Sequence, residues 1–336
     1  MIVLCAVLSG IEDWVGMATF GKEKEAWLRT FLTLPNGIPS HDTLSDVIGR
    51  LNPDTFADAF QAWATAALAG LSGEQVCVDG KTLRGSRDGA TPGVHLISAF
   101  ASRARWVLAQ QTVGEKTNEI KAIPDLLRLL DLHGATVSLD AMGGQKAIAR
   151  TIVEGGADYV LALKDNHPTL HAEVTQWLDD ETARGALPIE ETINKAHGRL
   201  EIRRVVLSER IEWLEDRAEW DGLNAVGRVE STRLIGDHTS TETREFLCSF
   251  TDLQRFAAAV RQHWSIENQQ HWILDVQFGE NACRTRRDHS PENLALLRRM
   301  ALNLLKHNGP PKDSLRQRKR RAALNDNYRL ELLLGE

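Results

Sequence analysis

The chain has few cysteines, no long apolar run and no overall excess of positive charge. Each shortage excludes something. The four cysteines, Cys5, Cys77, Cys248 and Cys283, lie far apart and form no CxxC pair. That spacing argues against a disulfide framework and against a cysteine-held zinc, and it fits a reducing, cytoplasmic setting. The apolar stretch 1–10 is short, has no basic segment before it and is followed at once by Glu12 and Asp13. It reads as a core helix, not as a signal peptide or a membrane span. Because that helix is caught partway, the natural domain is expected to begin upstream of Met1. There is no internal repeat, no low-complexity tract and no zinc-hydrolase HExxH pattern.

A net charge of −6 over 336 residues argues, taken alone, against a polyanionic partner. The distribution argues the other way. Residues 284–321 hold twelve Lys and Arg against three acids, Asp288, Glu292 and Asp313. Clustered charge is the footprint of nucleic acid; a solvated basic helix end is the plainer alternative.

The length allows more than one structural unit. Residues 1–70 read as helices with Trp14, Met17, Phe20, Trp27 and Phe31 spaced for a buried face. Later helices start after Ser40 and at Pro53, capped by Asn52 or Asp54. Strand patterns follow at 75–79, 94–101 and 106–113, then a helix at 118–130, a strand at 135–139, a helix at 145–154, a strand at 159–163 and a helix at 168–182. This β-β-β-α-β-α-β-α succession is the one expected of a ribonuclease-H-like α/β core. Residues 184–251 break the rhythm with strands at 202–207, 224–234 and 244–250, a mostly β insertion. We divide the chain into a helical region at 1–70, a catalytic domain at 71–308 with its insertion at 184–251, and a basic segment at 309–336. The stretch 293–306 reads as an amphipathic helix.

Two acids stand at strand ends, Asp79 and Asp140, and a third, Glu267, on a helix marked by Phe256, Val260, Trp264, Ile266 and Ile273. Grouped carboxylates repel unless neutralised. Magnesium takes oxygen ligands and few protein carboxylates, and two such ions suit phosphodiester chemistry. His263, Glu267 and His271, four residues apart, share a helix face and offer a zinc alternative, but hydrogen-bonded structural histidines are the preferred reading. Trp264 and Trp272 are expected in the core rather than as a base-stacking platform. His197 is expected at a loop or strand start, not in catalysis.

Several stretches together resemble the DDE transposases of bacterial insertion sequences, in particular an ISAs-type subgroup. They are Ile38-Pro-Ser-His-Asp-Thr43, Asp79-Gly-Lys-Thr-Leu-Arg-Gly-Ser86, Leu139-Asp140-Ala141 with Gln145, and Asp158-Tyr-Val-Leu-Ala-Leu-Lys164. His197-Gly-Arg-Leu-Glu-Ile-Arg203, His263-Trp-Ser-Ile-Glu-Asn268 and His271-Trp-Ile-Leu-Asp-Val276 continue the series. The resemblance implies a triad of Asp79, Asp140 and Glu267 that binds Mg²⁺ or Mn²⁺, as two ions. It implies hydrolysis of double-stranded DNA at the terminal inverted repeats of a mobile element, strand transfer to target DNA, a homodimer in the DNA complex, and no membrane. A Tyr-Arg-Glu-Lys signature of related groups is absent: Val260, His263, Glu267 and Leu274 occupy its positions. Phosphate contacts are therefore expected from Lys81, Arg84, Lys164, Arg261, Arg284, Arg286 and Arg287, and from Arg318, Lys319, Arg320 and Arg321. Lys81 and Arg84 could instead pair with nearby acids. An added charge at Asp165 and an N-terminus that starts inside what is usually a longer helical domain leave open an inactive remnant that binds element ends without cutting. A ribonuclease-H-like nuclease without strand transfer is a third reading, and the 184–251 insertion argues against it.

Overall fold

The sheet is built outward from the strand that carries Asp79. In a computed structural model that describes residues 1–336 except 90, 115–117, 197 and 336, the strands are β1 (Gln75–Thr82), β2 (His95–Ala101), β3 (Trp106–Val113), β4 (Thr136–Leu139), β5 (Asp158–Leu163), β6 (Ile189–Ala196), β7 (Arg199–Ser208), β8 (Ala225–Ile235) and β9 (His238–Cys248). They form one sheet in the order β3-β2-β1-β4-β5-β9-β8-β7-β6. Pairing is parallel for β1–β4 and β4–β5 and antiparallel elsewhere. The β3-β2-β1-β4-β5 half is the ribonuclease-H-like core. The central strands are continuous buried runs because both faces are covered.

The insertion is not a separate sheet. Its last strand, β9, pairs with β5, Val160 opposite Cys248, and so extends the same sheet. Strand β6, which the sequence pattern does not separate, lies at the far edge and is paired on one side only, by β7. Its polar IEETINKA composition is typical of an edge that must resist further pairing. Strand β1 is also longer than expected. It continues past Asp79 because Gly80, Lys81 and Thr82 still pair with Ile97, Leu96 and His95 of β2.

The helices are α1 (Ile2–Leu8), α2 (Trp14–Glu23), α3 (Glu25–Leu28), α4 (His41–Arg50), α5 (Pro53–Ala66), α6 (Glu119–Arg128), α7 (Lys146–Glu154), α8 (Pro168–Ala183), α9 (Leu253–His263), α10 (Trp272–Phe278), α11 (Ser290–His307), α12 (Leu315–Leu324) and α13 (Asp326–Leu334). Side-chain caps start several of them: Ser40 accepts from the Thr43 amide, Asn52 from Thr55 and Asp252 from Arg255. Every residue of α1 is buried. Helix α11 runs between α1, α4 and α5, β3 and α12. It is not amphipathic: all its residues except Met300, Lys306 and His307 are buried, the charged Arg298 and Arg299 included. Helix α9 lies across β1, β4 and β5, and its position brings the third acid to the first two.

Candidate active site

Strand alternation decides which side chains α9 meets. Residues two apart share a face, so Gln75, Cys77 and Asp79 point one way on β1, and Thr136, Ser138 and Asp140 line up the same way on β4. The polar positions upstream of the two acids hold α9. Gln75 Nε2 donates to Ser138 Oγ at 2.8 Å and to the Ala259 carbonyl at 2.8 Å. Arg255 donates to Thr136 Oγ1 at 2.7 Å, and Ser138 Oγ lies 3.0 Å from His263 Nδ1. The parallel register pairs Val78 with Leu139, so Asp79 and Asp140 are the next residues on adjacent strands. Backbone amides orient both carboxylates: Gly80 N–H donates to Asp79 Oδ1 at 2.9 Å, and Gly143 N–H to Asp140 Oδ1 at 3.2 Å.

Glu267 opens a single turn of π-helix, Glu267–His271, that joins the helical run of α9 to α10. Wide turns of this kind recur at functional sites. Glu267, Asp79 and His271 each offer a ligand atom, all within 4.8 Å of one another. His271 Nε2 is 3.3 Å from Asp79 Oδ2. A cleft of about 390 Å³ is lined by all three acids together with Lys164, Arg244, His263 and Trp264.

The electrostatics of the cleft call for a cation. Among the described residues, no lysine or arginine forms an ion pair with Asp79, Asp140 or Glu267. Partial burial, and then the charges of Asp79 and Glu119, raise the Asp140 carboxyl above its ordinary range, with the Gly143 amide and His263 acting against them. Burial lowers the His263 imidazole, against the pull of Asp79 and Asp140, and so favours its neutral form. His271 is 3% exposed, and among the described residues neither of its ring nitrogens has a hydrogen-bond partner. Grouped oxygen donors beside an unpartnered buried nitrogen fit a divalent metal ion.

Comparison with known proteins gives the family. Residues 71–304 match the family model of the transposase DDE domain, and residues 1–64 match the model of the DDE_Tnp_1-associated region. The chain belongs to the DDE transposase family. A protein encoded in the dhlA 3′ region of Xanthobacter autotrophicus is 46% identical over 252 residues, covering 74% of this chain and 85% of that relative. YhhI, an H repeat-associated putative transposase of Escherichia coli, is 34% identical over the whole chain and 91% of its own length. A cryo-EM structure of the piggyBac transposase synaptic complex with hairpin DNA aligns at a TM-score of 0.49 and 10% identity, over 99% of this chain and 72% of that one.

The basic residues of this transposase-family chain divide into exposed and buried sets. Arg84, Lys164, Arg261, Arg284, Arg286, Arg287, Arg320 and Arg321 are exposed. The loop of Arg84–Ser86 packs on Glu280–Ala282, and Arg286 Nε donates to the Gly85 carbonyl at 3.2 Å, so Arg84 and the 284–287 arginines share one surface. Three expected DNA contacts are turned inward instead. Lys81 is buried between Asp275 and Glu280. Arg318 is buried and donates to the carbonyls of Leu305, Lys306, Pro310 and Asp313. Lys319 is buried against the Gln277 carbonyl and the Phe278 ring. In each case backbone carbonyls or carboxylates capture the cation, a demand that a charge count does not reveal.

The tryptophans reverse expectation the other way. Trp264 is 41% and Trp272 54% exposed, and the Arg244 guanidinium sits 4.8 Å over the Trp264 ring. Asp165 is fully exposed and does not line the cleft. His197 lies outside the described residues. Sequence reasoning missed Arg244 in the cleft and the His95–Glu119 pair beside the acids, and it took His271, which shares a face with Glu267, for a hydrogen-bonded structural histidine. Gly80 is the one local signal for the His95–Glu119 pair: a Cβ there would run into the Glu119 carboxylate. No described helix is long and apolar enough to cross a membrane.

Proposed function

We propose that this cleft cuts DNA phosphodiester bonds at the ends of a mobile element and joins the freed 3′-OH to target DNA. The observation that carries the reading is the convergence, in one cleft that Lys164 and Arg244 also line, of three carboxylates that have no lysine or arginine ion-pair partner among the described residues. Asp79, Asp140 and Glu267 would hold Mg²⁺ or Mn²⁺, as two ions. Bound there, such ions activate an attacking oxygen and stabilise a leaving one. The protein's own part is orientation. The Gly80 and Gly143 amides fix the two aspartates, and the Ser138–His263 contact fixes α9. Lys164 and Arg244 offset the charge of an incoming phosphate. Strand transfer needs the cleft to admit water for the first step and a terminal hydroxyl for the second, and the same carboxylates serve both.

In this reading Arg84, Arg261, Arg284, Arg286, Arg287, Arg320 and Arg321 contact the backbone of double-stranded DNA, at terminal inverted repeats and at the target. The protein acts as a homodimer in the cytoplasm, at the nucleoid when bound. Residues 71–308 form the catalytic unit, 1–70 and 309–336 its flanking helical and basic parts. Nicking of a duplex that carries the element's own end tests this: the wild-type chain nicks it and Glu267→Gln does not, although both bind it.

A further inference from the structure

We propose that His271 is itself a metal ligand, completing a mixed carboxylate–imidazole site with Asp79 and Glu267, and that this site prefers Mn²⁺ to Mg²⁺. The inference rests on the metal-dependent reading above and adds a residue outside the acidic triad. Three observations on His271 carry it. Its side chain is almost fully buried, yet among the described residues both ring nitrogens lack hydrogen-bond partners. Leaving such nitrogens unsatisfied is costly and calls for an explanation. Nε2 faces Asp79 Oδ2 across 3.3 Å without the alignment of a hydrogen bond. Donors on adjacent corners of an octahedral ion with bonds of about 2.1 Å lie about 3 Å apart, and those on opposite corners about 4.2 Å apart. The 4.8 Å envelope of the Asp79, Glu267 and His271 donor atoms closes to that size with small side-chain movements.

The π turn explains how the third donor arrives. Glu267 and His271 are its first and last residues, and both reach the Asp79 carboxylate. The turn is held from behind: Lys81 Nζ donates to the His271 carbonyl, and Lys306 Nζ to the Gln269 carbonyl at 2.7 Å. Imidazole nitrogen is a poor ligand for Mg²⁺, which favours oxygen, and a better one for transition metals, where affinity rises along the first row from Mn²⁺. Among the described residues the donor atoms that gather within 4.8 Å of one another are those of Asp79, Glu267 and His271, and His263 is not one of them.

The test is Mn²⁺ binding to the full chain without DNA, followed by electron paramagnetic resonance with nitrogen hyperfine detection, and by competition with Mg²⁺. The wild-type protein is expected to bind Mn²⁺ at least tenfold more tightly than Mg²⁺ and to show coupling to an imidazole nitrogen. His271→Gln should remove that coupling and weaken Mn²⁺ binding by about 10-fold to 100-fold, whereas His263→Gln should keep it. Bound Mn²⁺ without nitrogen coupling in the wild-type protein, or coupling that vanishes in His263→Gln and survives in His271→Gln, overturns the proposal. The first result needs no variant, so misfolding cannot hide it. Nicking assays on the same samples separate the two readings. DNA cleavage with no nitrogen coupling rejects His271 as a ligand and leaves the proposed function standing. Nitrogen-coupled Mn²⁺ in a protein that never nicks DNA does the reverse. A protein that binds no Mn²⁺ rejects the His271 site.

Discussion

Lys81 Nζ donates to the backbone carbonyl of His271 at 3.3 Å, fastening the strand that carries Asp79 to the turn that carries Glu267. The same ammonium pairs with Asp275 and with the fully buried Glu280, which also accepts from Arg299 at 2.8 Å. Lys81 therefore acts as a positioning residue. Lys81→Met takes the ammonium from the half-buried Asp275 and leaves the buried Glu280 with Arg299 alone, and should destabilise the fold by about 3 kcal/mol in urea denaturation. A double-mutant cycle with Glu280→Gln should recover part of that loss. A stability unchanged by Lys81→Met, with weakened DNA binding, would return Lys81 to the DNA surface.

Asp140 and Glu280 should respond to pH with opposite signs. The Asp140 carboxyl is raised by burial and by its acidic neighbours. Its stabilising contribution is present below its unfolded value and is lost as pH rises through the raised folded value. Asp140→Asn should therefore melt at a higher temperature than wild type at pH 7 without added metal. Burial would also raise Glu280, but Arg299, Lys81 and Arg298 outweigh it and hold the carboxyl at about 2. Its contribution is present above the unfolded value and is lost as pH falls toward about 2. Thermal melts of wild type, Asp140→Asn and Glu280→Gln from strongly acidic to mildly alkaline pH check both signs. An Asp140→Asn protein less stable than wild type at pH 7 would contradict the first.

The C-terminal cations should separate in a salt titration. Arg320 and Arg321 are exposed, and each phosphate no longer neutralised should lower the slope of log affinity against log salt by about 0.9. Replacing both with alanine is expected to flatten the slope by roughly 1.8 and to leave stability nearly unchanged. Arg318→Ala should act in the opposite way. It strips donors from four backbone carbonyls, so it should cost roughly 2 kcal/mol or more of stability without a direct change in slope. Equal slopes for wild type and the Arg320/Arg321 variant would move the DNA path elsewhere.

Much of the catalytic half was legible because its signals are local. Apolar runs broken by an acid marked β1 and β4, and their alternation is what turns Asp79 and Asp140 toward α9. Other features depend on neighbours the sequence does not name. The edge position of β6 permits a polar strand that reads as loop. The helix of Glu267 runs with its His271 side against Asp79 and its Trp272 side half in solvent, a placement that helical spacing alone does not give. Cations at Lys81, Arg299 and Arg318 look like surface charge until the buried acids and helix-end carbonyls they serve are in place.

The most direct measurement is cleavage of a labelled duplex carrying the element's own end, by wild type and Asp140→Asn, with Mg²⁺, Mn²⁺ or Ca²⁺. The expected result is nicking by the wild-type chain with Mg²⁺ or Mn²⁺, none with Ca²⁺, and none by Asp140→Asn, which still binds the duplex. Full nicking by folded Asp140→Asn, or specific binding by the folded wild type without nicking under any of the three ions, would contradict it.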